Sequence, residues 1–350
     1  MVIAGFGKSP LPFDMFELQR AADEARRAEK MENIYHRGQD LIWSGRRVLP
    51  ELLRKHGGIQ IAPAQREALG AVLAVLMWGE LAAWKIAAQL ADQLVPLEAK
   101  LAATSQAHDE ARHFYVMHAY INELGYKAGP LDRRSRVLLD TALLATDPCM
   151  KIHGMQLLIE SMALTLFQAL RESRVEPVLT ELLPYYEKDE ARHVGLGLQF
   201  LPDEMRRLSR GRALRLIGFQ VELLLAALSE LKALEPHLKV LGLDPRQVFL
   251  LGTAKIALSI EMLWREQGGA DKAQRHPYIA RFLSAVGELA FPEQQPGQPD
   301  GSYRGRLSRA ATAAGAAWRT MRHGHASAVP ASSLDPEAEA TRAGSVWSSP

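Results

Sequence analysis

The sequence predicts an all-α fold. Three observations carry that reading. Between residues 15 and 290 apolar side chains recur with a period near 3.6 among strong helix formers, and the alternating Val, Ile and Thr runs that mark strands are missing. Gly and Pro then cut the pattern into helix-length blocks, at Gly57-Gly58, Pro63, Pro96, Gly125 to Pro130, Pro148, Pro177, Pro202, Pro236, Gly242 to Pro245 and Gly268-Gly269.

The first predicted helix, 15–56, stops at the glycine pair, and the second, 65–94, starts beyond Pro63. Helix 97–124 follows Pro96 and ends at Gly125, and a helix over 132–146 lies between Pro130 and Pro148. Helices 150–173 and 177–201 are separated by Pro177, with Pro202 closing the second. Helices 205–234, 244–267 and 275–290 complete the series. After Phe291 the composition shifts to Pro, Gly, Gln, Ser and Ala with scattered Arg304, Arg306 and Arg309, which predicts a flexible tail over 294–350 with one short helix near 305–322.

A chain of 350 residues that is 47% hydrophobic has the apolar content for a large core. Its 42 basic and 40 acidic side chains leave a net charge of +2, so no strong field points to nucleic acid or an anionic membrane, and small-molecule chemistry is the expectation. Cys149 is the single cysteine, which excludes an internal disulfide framework and any four-cysteine metal site and fits a reducing cytoplasm. Residues 1–20 lack the apolar run of a secretory signal. The longest apolar stretch, Leu69 to Ala83, is interrupted by Glu80 and is too short to span a bilayer, so no membrane is expected.

One pentapeptide occurs twice, as Asp109-Glu110-Ala111-Arg112-His113 and as Asp189-Glu190-Ala191-Arg192-His193. Three residues apart on a helix, Glu and His share a face, so each copy can offer a carboxylate and an imidazole to one ion. A lone copy is a weak signal. The helix before each copy strengthens it, because Glu80 interrupts the apolar run from Leu73 to Trp84 and Glu160 interrupts the run from Met155 to Leu164. An unpaired carboxylate inside such a helix costs several kcal/mol unless a cation or a proton accompanies it. Glu80 precedes Glu110 by 30 residues, and Glu160 precedes Glu190 by 30. That distance is about one helix, a turn and half of the returning helix, so each half forms an antiparallel hairpin with its ligands at one height.

With these six residues in place the chain resembles the ferritin-like superfamily of di-iron and di-manganese carboxylate proteins. The signature of that superfamily is a Glu from each of two helices plus Glu-x-x-His from each of two others, all projecting into a four-helix core. The resemblance covers residues 65–201. It implies a ferritin-like four-helix bundle with flanking helices: an N-terminal extension over 1–64, the core over 65–201, added helices over 202–293, and the tail beyond. It also implies metal ligation by Glu80, Glu110, His113, Glu160, Glu190 and His193. Four carboxylates and two imidazoles suit hard metals, so two iron ions are expected, with Mn/Fe as the alternative.

The resemblance extends to the surroundings of the ligands. It implies that Asp109 accepts from His193 and Asp189 from His113, with Arg112 and Arg192 pairing with these acids. Tyr186, one turn before Glu190, is the candidate for a catalytic hydrogen-bond donor or redox group, and Gly197, two turns beyond, either leaves room for substrate or permits close packing. Met77, Trp84, Gln106, Met117 and Phe167 fall by spacing on metal-facing stripes, and His153 reads as a core histidine.

Within the superfamily the chain is most similar to the branch of ribonucleotide reductase small subunits, ligand-binding oxidases and desaturases, as an atypical member. Met117 stands where a radical tyrosine is usual, Ala163 or Leu164 where some oxygenases carry threonine, and Tyr186 where N-oxygenating relatives add a histidine. The implied activity is an oxidase or oxygenase that activates dioxygen and acts on a hydrophobic or aromatic small molecule. Electrons come from a separate reductase, from ferredoxin or from the substrate, and a homodimer is the expected assembly. The alternatives are an iron-binding or peroxide-detoxifying protein of ferritin or rubrerythrin type, and a scaffold whose metal serves folding alone.

Overall fold

The computed structural model describes residues 22–266, 285–287 and 289–291, and among them every regular element is helical. The order is α1 (Ala22–Asp40), α2 (Gly45–His56), α3 (Pro63–Gln93), α4 (Leu97–Glu123), α5 (Arg133–Leu144), α6 (Pro148–Ile152), a π-helical segment (His153–Ile159), α7 (Glu160–Ser173), α8 (Pro177–Arg206), α9 (Arg210–Val240) and α10 (Pro245–Glu266). The expectations for 275–290 and for the tail fall largely or wholly outside the described residues.

Local chemistry explains most boundaries. Pro63, Pro148, Pro177 and Pro245 are each the first residue of a helix, where the missing N–H is no loss and the fixed φ suits the first turn. Asp132, Asp147 and Ser209 cap α5, α6 and α9 with their side-chain oxygens. Gly57 closes α2 in the left-handed conformation, φ 69°, which glycine adopts without a Cβ penalty. Glu176 caps α8 from a fully buried position: its carboxylate accepts from Leu179 N at 2.8 Å and from Tyr120 Oη on α4 at 2.7 Å, which fixes the start of α8 against α4.

Three expectations need correction. The predicted helix 15–56 is interrupted at residues 41–44, where Trp43 is buried and Ser44 takes an extended conformation ahead of α2. The breaks at Pro202 and Pro236 do not occur: α8 and α9 run through them. Each proline lies in the last turns of its helix, where losing one donor costs little, and Pro202 is itself buried.

Helix α3 packs along α4, α7 packs along α8, α4 crosses α8, and the π segment ahead of α7 returns to α3. Helices α1 and α2 cover the α4–α8 side, α5 and α9 cover α3, and α10 covers α7 and α8. Helix α3 is long and apolar enough to cross a membrane by composition, and that apolarity is accounted for by burial among α4, α5 and α9. The core falls into two apolar clusters, one around Leu73, Met117, Phe167 and Tyr186 and one around Ile86, Ile152 and Leu196.

Candidate metal centre

Glu80 lies on α3, Glu110 and His113 on α4, Glu160 at the first position of α7, and Glu190 and His193 on α8, and all six are buried. They form two overlapping groups. Glu80, Glu110, His113 and Glu190 offer one ligand atom each within 4.8 Å of one another, and so do Glu110, Glu160, Glu190 and His193. Glu110 and Glu190 belong to both groups, while each outer group adds one carboxylate and one imidazole of its own.

The imidazoles sit between carboxylates. His113 Nδ1 is 3.2 Å from Glu190, 3.4 Å from Glu80 and 3.4 Å from Glu110. His193 Nδ1 is 2.9 Å from Glu110 and 3.3 Å from Glu190. Their other nitrogens face outward to acids of the opposite motif: His113 Nε2 is 3.0 Å from Asp189 and His193 Nε2 is 3.4 Å from Asp109. Arg112 donates to Asp109 at 2.6 Å and to Asp189 at 2.8 Å, and Arg192 donates to Asp109 at 3.0 Å and to Asp189 at 2.5 Å. The two repeats therefore interlock through a buried square of two acids and two arginines, each acid fixing the ring of the partner repeat's histidine.

The electrostatics show what the cluster lacks. Burial, then the charge of Glu190, holds the Glu80 carboxyl well above the usual carboxylate range, and burial with Glu190 and Glu110 does the same to Glu160. Burial would depress His113, but the hydrogen bond of Nε2 to Asp189 and the carboxyl groups of Glu110, Glu190 and Glu80 around Nδ1 hold it well above the ordinary imidazole value, and Glu110 with Asp109 does so for His193. Glu110 is lowered, against its burial, by the two histidines. Protons thus hold together a set of groups that would otherwise repel. Even so, Glu110 Oε2, Glu190 Oε1 and His113 Nδ1 make no hydrogen bond, and all three belong to the first ligand group. A buried Glu/His set with orphaned acceptors turned to a common point could hold a metal ion, and two imidazoles with four carboxylates make a hard oxygen and nitrogen donor set.

No protein-family model, curated protein or solved structure matches the chain.

Two glutamines complete the polar interior. Gln106 Nε2 donates to Glu110 at 3.0 Å and to Glu160 at 2.8 Å, and Gln156 Nε2 donates to Gln106 Oε1 at 2.9 Å. The sequence placed Gln106 on a metal-facing stripe but gave no signal for Gln156, which lies in the π segment. That segment makes the register of Glu160 depend on i→i+5 backbone bonding, a geometry common beside functional residues and invisible in a 3.6-residue period. Trp43 was also missed: its Nε1 donates to Asp189 at 2.8 Å, and its ring lies 4.8 Å beneath the Arg112 guanidinium.

Tyr186 stacks on His113 with ring centroids 4.4 Å apart and donates to the His113 carbonyl at 2.9 Å. Its hydroxyl is thus engaged with backbone. Gly197 serves close packing, since a Cβ there would meet Gln156 and Leu157 at 3.1 Å. His153 is a core histidine: burial pushes it down to about 4, and it bonds the Cys149 carbonyl at 2.9 Å. Met77, Met117 and Phe167 belong to the apolar core, whereas Trp84 is exposed.

An apolar cavity of about 70 Å³ adjoins the centre. Glu80 and Glu160 form its inner wall, and Leu76, Met155, Ile159 and Leu231 contribute apolar sides; neither histidine lines it.

Proposed function

We propose that this chain is a dioxygen-activating di-iron oxidase or oxygenase, built on a ferritin-like four-helix bundle of α3, α4, α7 with its π segment, and α8. One observation carries the reading: Glu110 and Glu190 each belong to two four-residue ligand groups, so each would be available to both members of a pair of ions. Glu80 and His113 would complete one ion's ligands and Glu160 and His193 the other's. Four carboxylates offset the four charges of two divalent ions, which permits a neutral centre inside an apolar interior. When bound, a reduced iron pair supplies electrons to dioxygen.

The chain's own residues supply the rest. Asp109 and Asp189 orient the imidazoles, and Arg112 and Arg192 balance the charge of those acids. The apolar cavity on the Glu80 and Glu160 side supports a hydrophobic substrate. At about 70 Å³ it is smaller than the ~150 Å³ site that accommodates a benzene ring, so an aromatic substrate requires its walls to separate. Tyr185, exposed at the surface, lies 5.2 Å from the Trp43 ring, which lies 6.2 Å from His113. This series offers an external donor a route for electrons.

The test is anaerobic loading with Fe²⁺ followed by rapid mixing with dioxygen. The proposal predicts consumption of about one dioxygen per pair of irons with a change in the visible spectrum. Iron uptake far beyond two ions per chain with mineral growth would instead establish storage.

A further inference from the structure

A second buried carboxylate outside the cluster has no role in the account so far. Glu230, on α9, is only 4% exposed, yet its Oε2 makes no hydrogen bond. Ser135 hydrogen-bonds the same carboxyl, so one of its oxygens is served and the other is a buried acceptor without a partner, which costs free energy that packing alone does not explain.

The position of Glu230 is specific. It lines the small cavity whose inner wall is Glu80 and Glu160, and it also lines a larger cavity of about 250 Å³ beside α3, α5 and α9. Val75, Ser135 and Leu234 are likewise common to both. The larger cavity reaches the surface, since Gly129, Pro130, Asp132 and Arg134 on its rim are exposed. Four side chains therefore form a throat between solvent and the cluster, and Glu230 is its only charged member.

The remaining surroundings favour this side for a cation. Behind the histidines the cluster is closed by Trp43 and by the mutually paired Arg112, Arg192, Asp109 and Asp189, which leave no free carboxylate there for an approaching divalent ion. On the throat side Glu230 and then Glu80 and Glu160 line one apolar-walled cavity, so carboxyl oxygens are offered to a cation along the way.

We infer that the throat formed by Glu230, Ser135, Val75 and Leu234 is the route by which divalent metal ions reach the cluster, with Glu230 as the transient oxygen ligand along it. This rests on the metal-centre reading above. Glu230 is not a ligand of the finished centre, so its loss alters the rate of loading and leaves the final content unchanged.

The experiment follows uptake of Fe²⁺ by metal-free full-length protein under anaerobic conditions, with unbound ion assayed by a chromogenic chelator after rapid gel filtration. Glu230→Gln keeps the shape and removes the charge; it is expected to slow loading by about tenfold or more while reaching the wild-type metal content. Glu230→Asp restores much of the rate. Leu234→Phe, which narrows the throat from the other side, slows loading without touching any charge. Wild-type rates in both Glu230→Gln and Leu234→Phe overturn the route and leave the metal centre standing. Failure of the wild-type protein to take up metal overturns both.

Discussion

Asp189 holds His113 through Nε2 at 3.0 Å, which turns the opposite nitrogen toward Glu190 at 3.2 Å. The acid comes from one motif repeat and the imidazole from the other, so each repeat aims the other's ligand. Asp189→Asn keeps the size of the side chain but removes the anion that orients and polarises the ring. It is expected to weaken metal binding about 10- to 100-fold while the protein stays folded, read by competition against a chelator. Unchanged affinity would deny Asp189 this positioning role.

Trp43→Phe removes the indole donor to Asp189 and keeps an aromatic ring in the same space. The expected outcome is full metal content with slower reduction by an external one-electron donor, measured as the rate of diferric bleaching. Equal reduction rates would exclude Trp43 from the electron route.

The metal-free protein should lose stability as pH rises above neutrality. Glu80 and Glu160, raised in the folded state, contribute stability that is complete below their unfolded value near 4.5 and is lost as pH climbs through their folded values. His113 and His193 act in the same direction above 6.5. Glu110 and Glu190, lowered in the folded state, lose their contribution only at the acid end. Above pH 6.5 the remaining changes within the cluster are therefore unfavourable, and Tm should fall toward pH 9 in metal-free protein and flatten when metal replaces the protons. A rising Tm over that window would contradict the assignment.

Much of this arrangement is legible in the sequence because it is written in local spacing. The two Asp-Glu-Ala-Arg-His copies and the isolated Glu80 and Glu160 need only the helical period to be placed on common faces, and the helix starts at Pro63, Pro148, Pro177 and Pro245 are local chemistry. What the sequence hides depends on tertiary contacts. Trp43 breaks a predicted helix because Asp189, 146 residues away, offers its indole a partner. The π segment places Gln156 by a change of backbone period that no side chain announces. Glu230 looks like any surface acid on an amphipathic helix until α3 and α5 enclose it.

Gly70 tests the packing independently of metal. A Cβ there would lie 2.2 Å from the Tyr126 ring, so Gly70→Ala should destabilise the protein by about 1–3 kcal/mol in chemical unfolding. A neutral effect would mean that α3 does not approach residue 126 this closely.

The central claim is that Glu110 and Glu190 serve two ions while Glu80 serves one, and anaerobic Fe²⁺ titration with metal analysis tests it most directly. The account predicts about two irons per chain in the wild-type protein, about one in Glu80→Ala, and no assembled pair in Glu110→Ala or Glu190→Ala. Retention of two irons in either of the last two variants would contradict it.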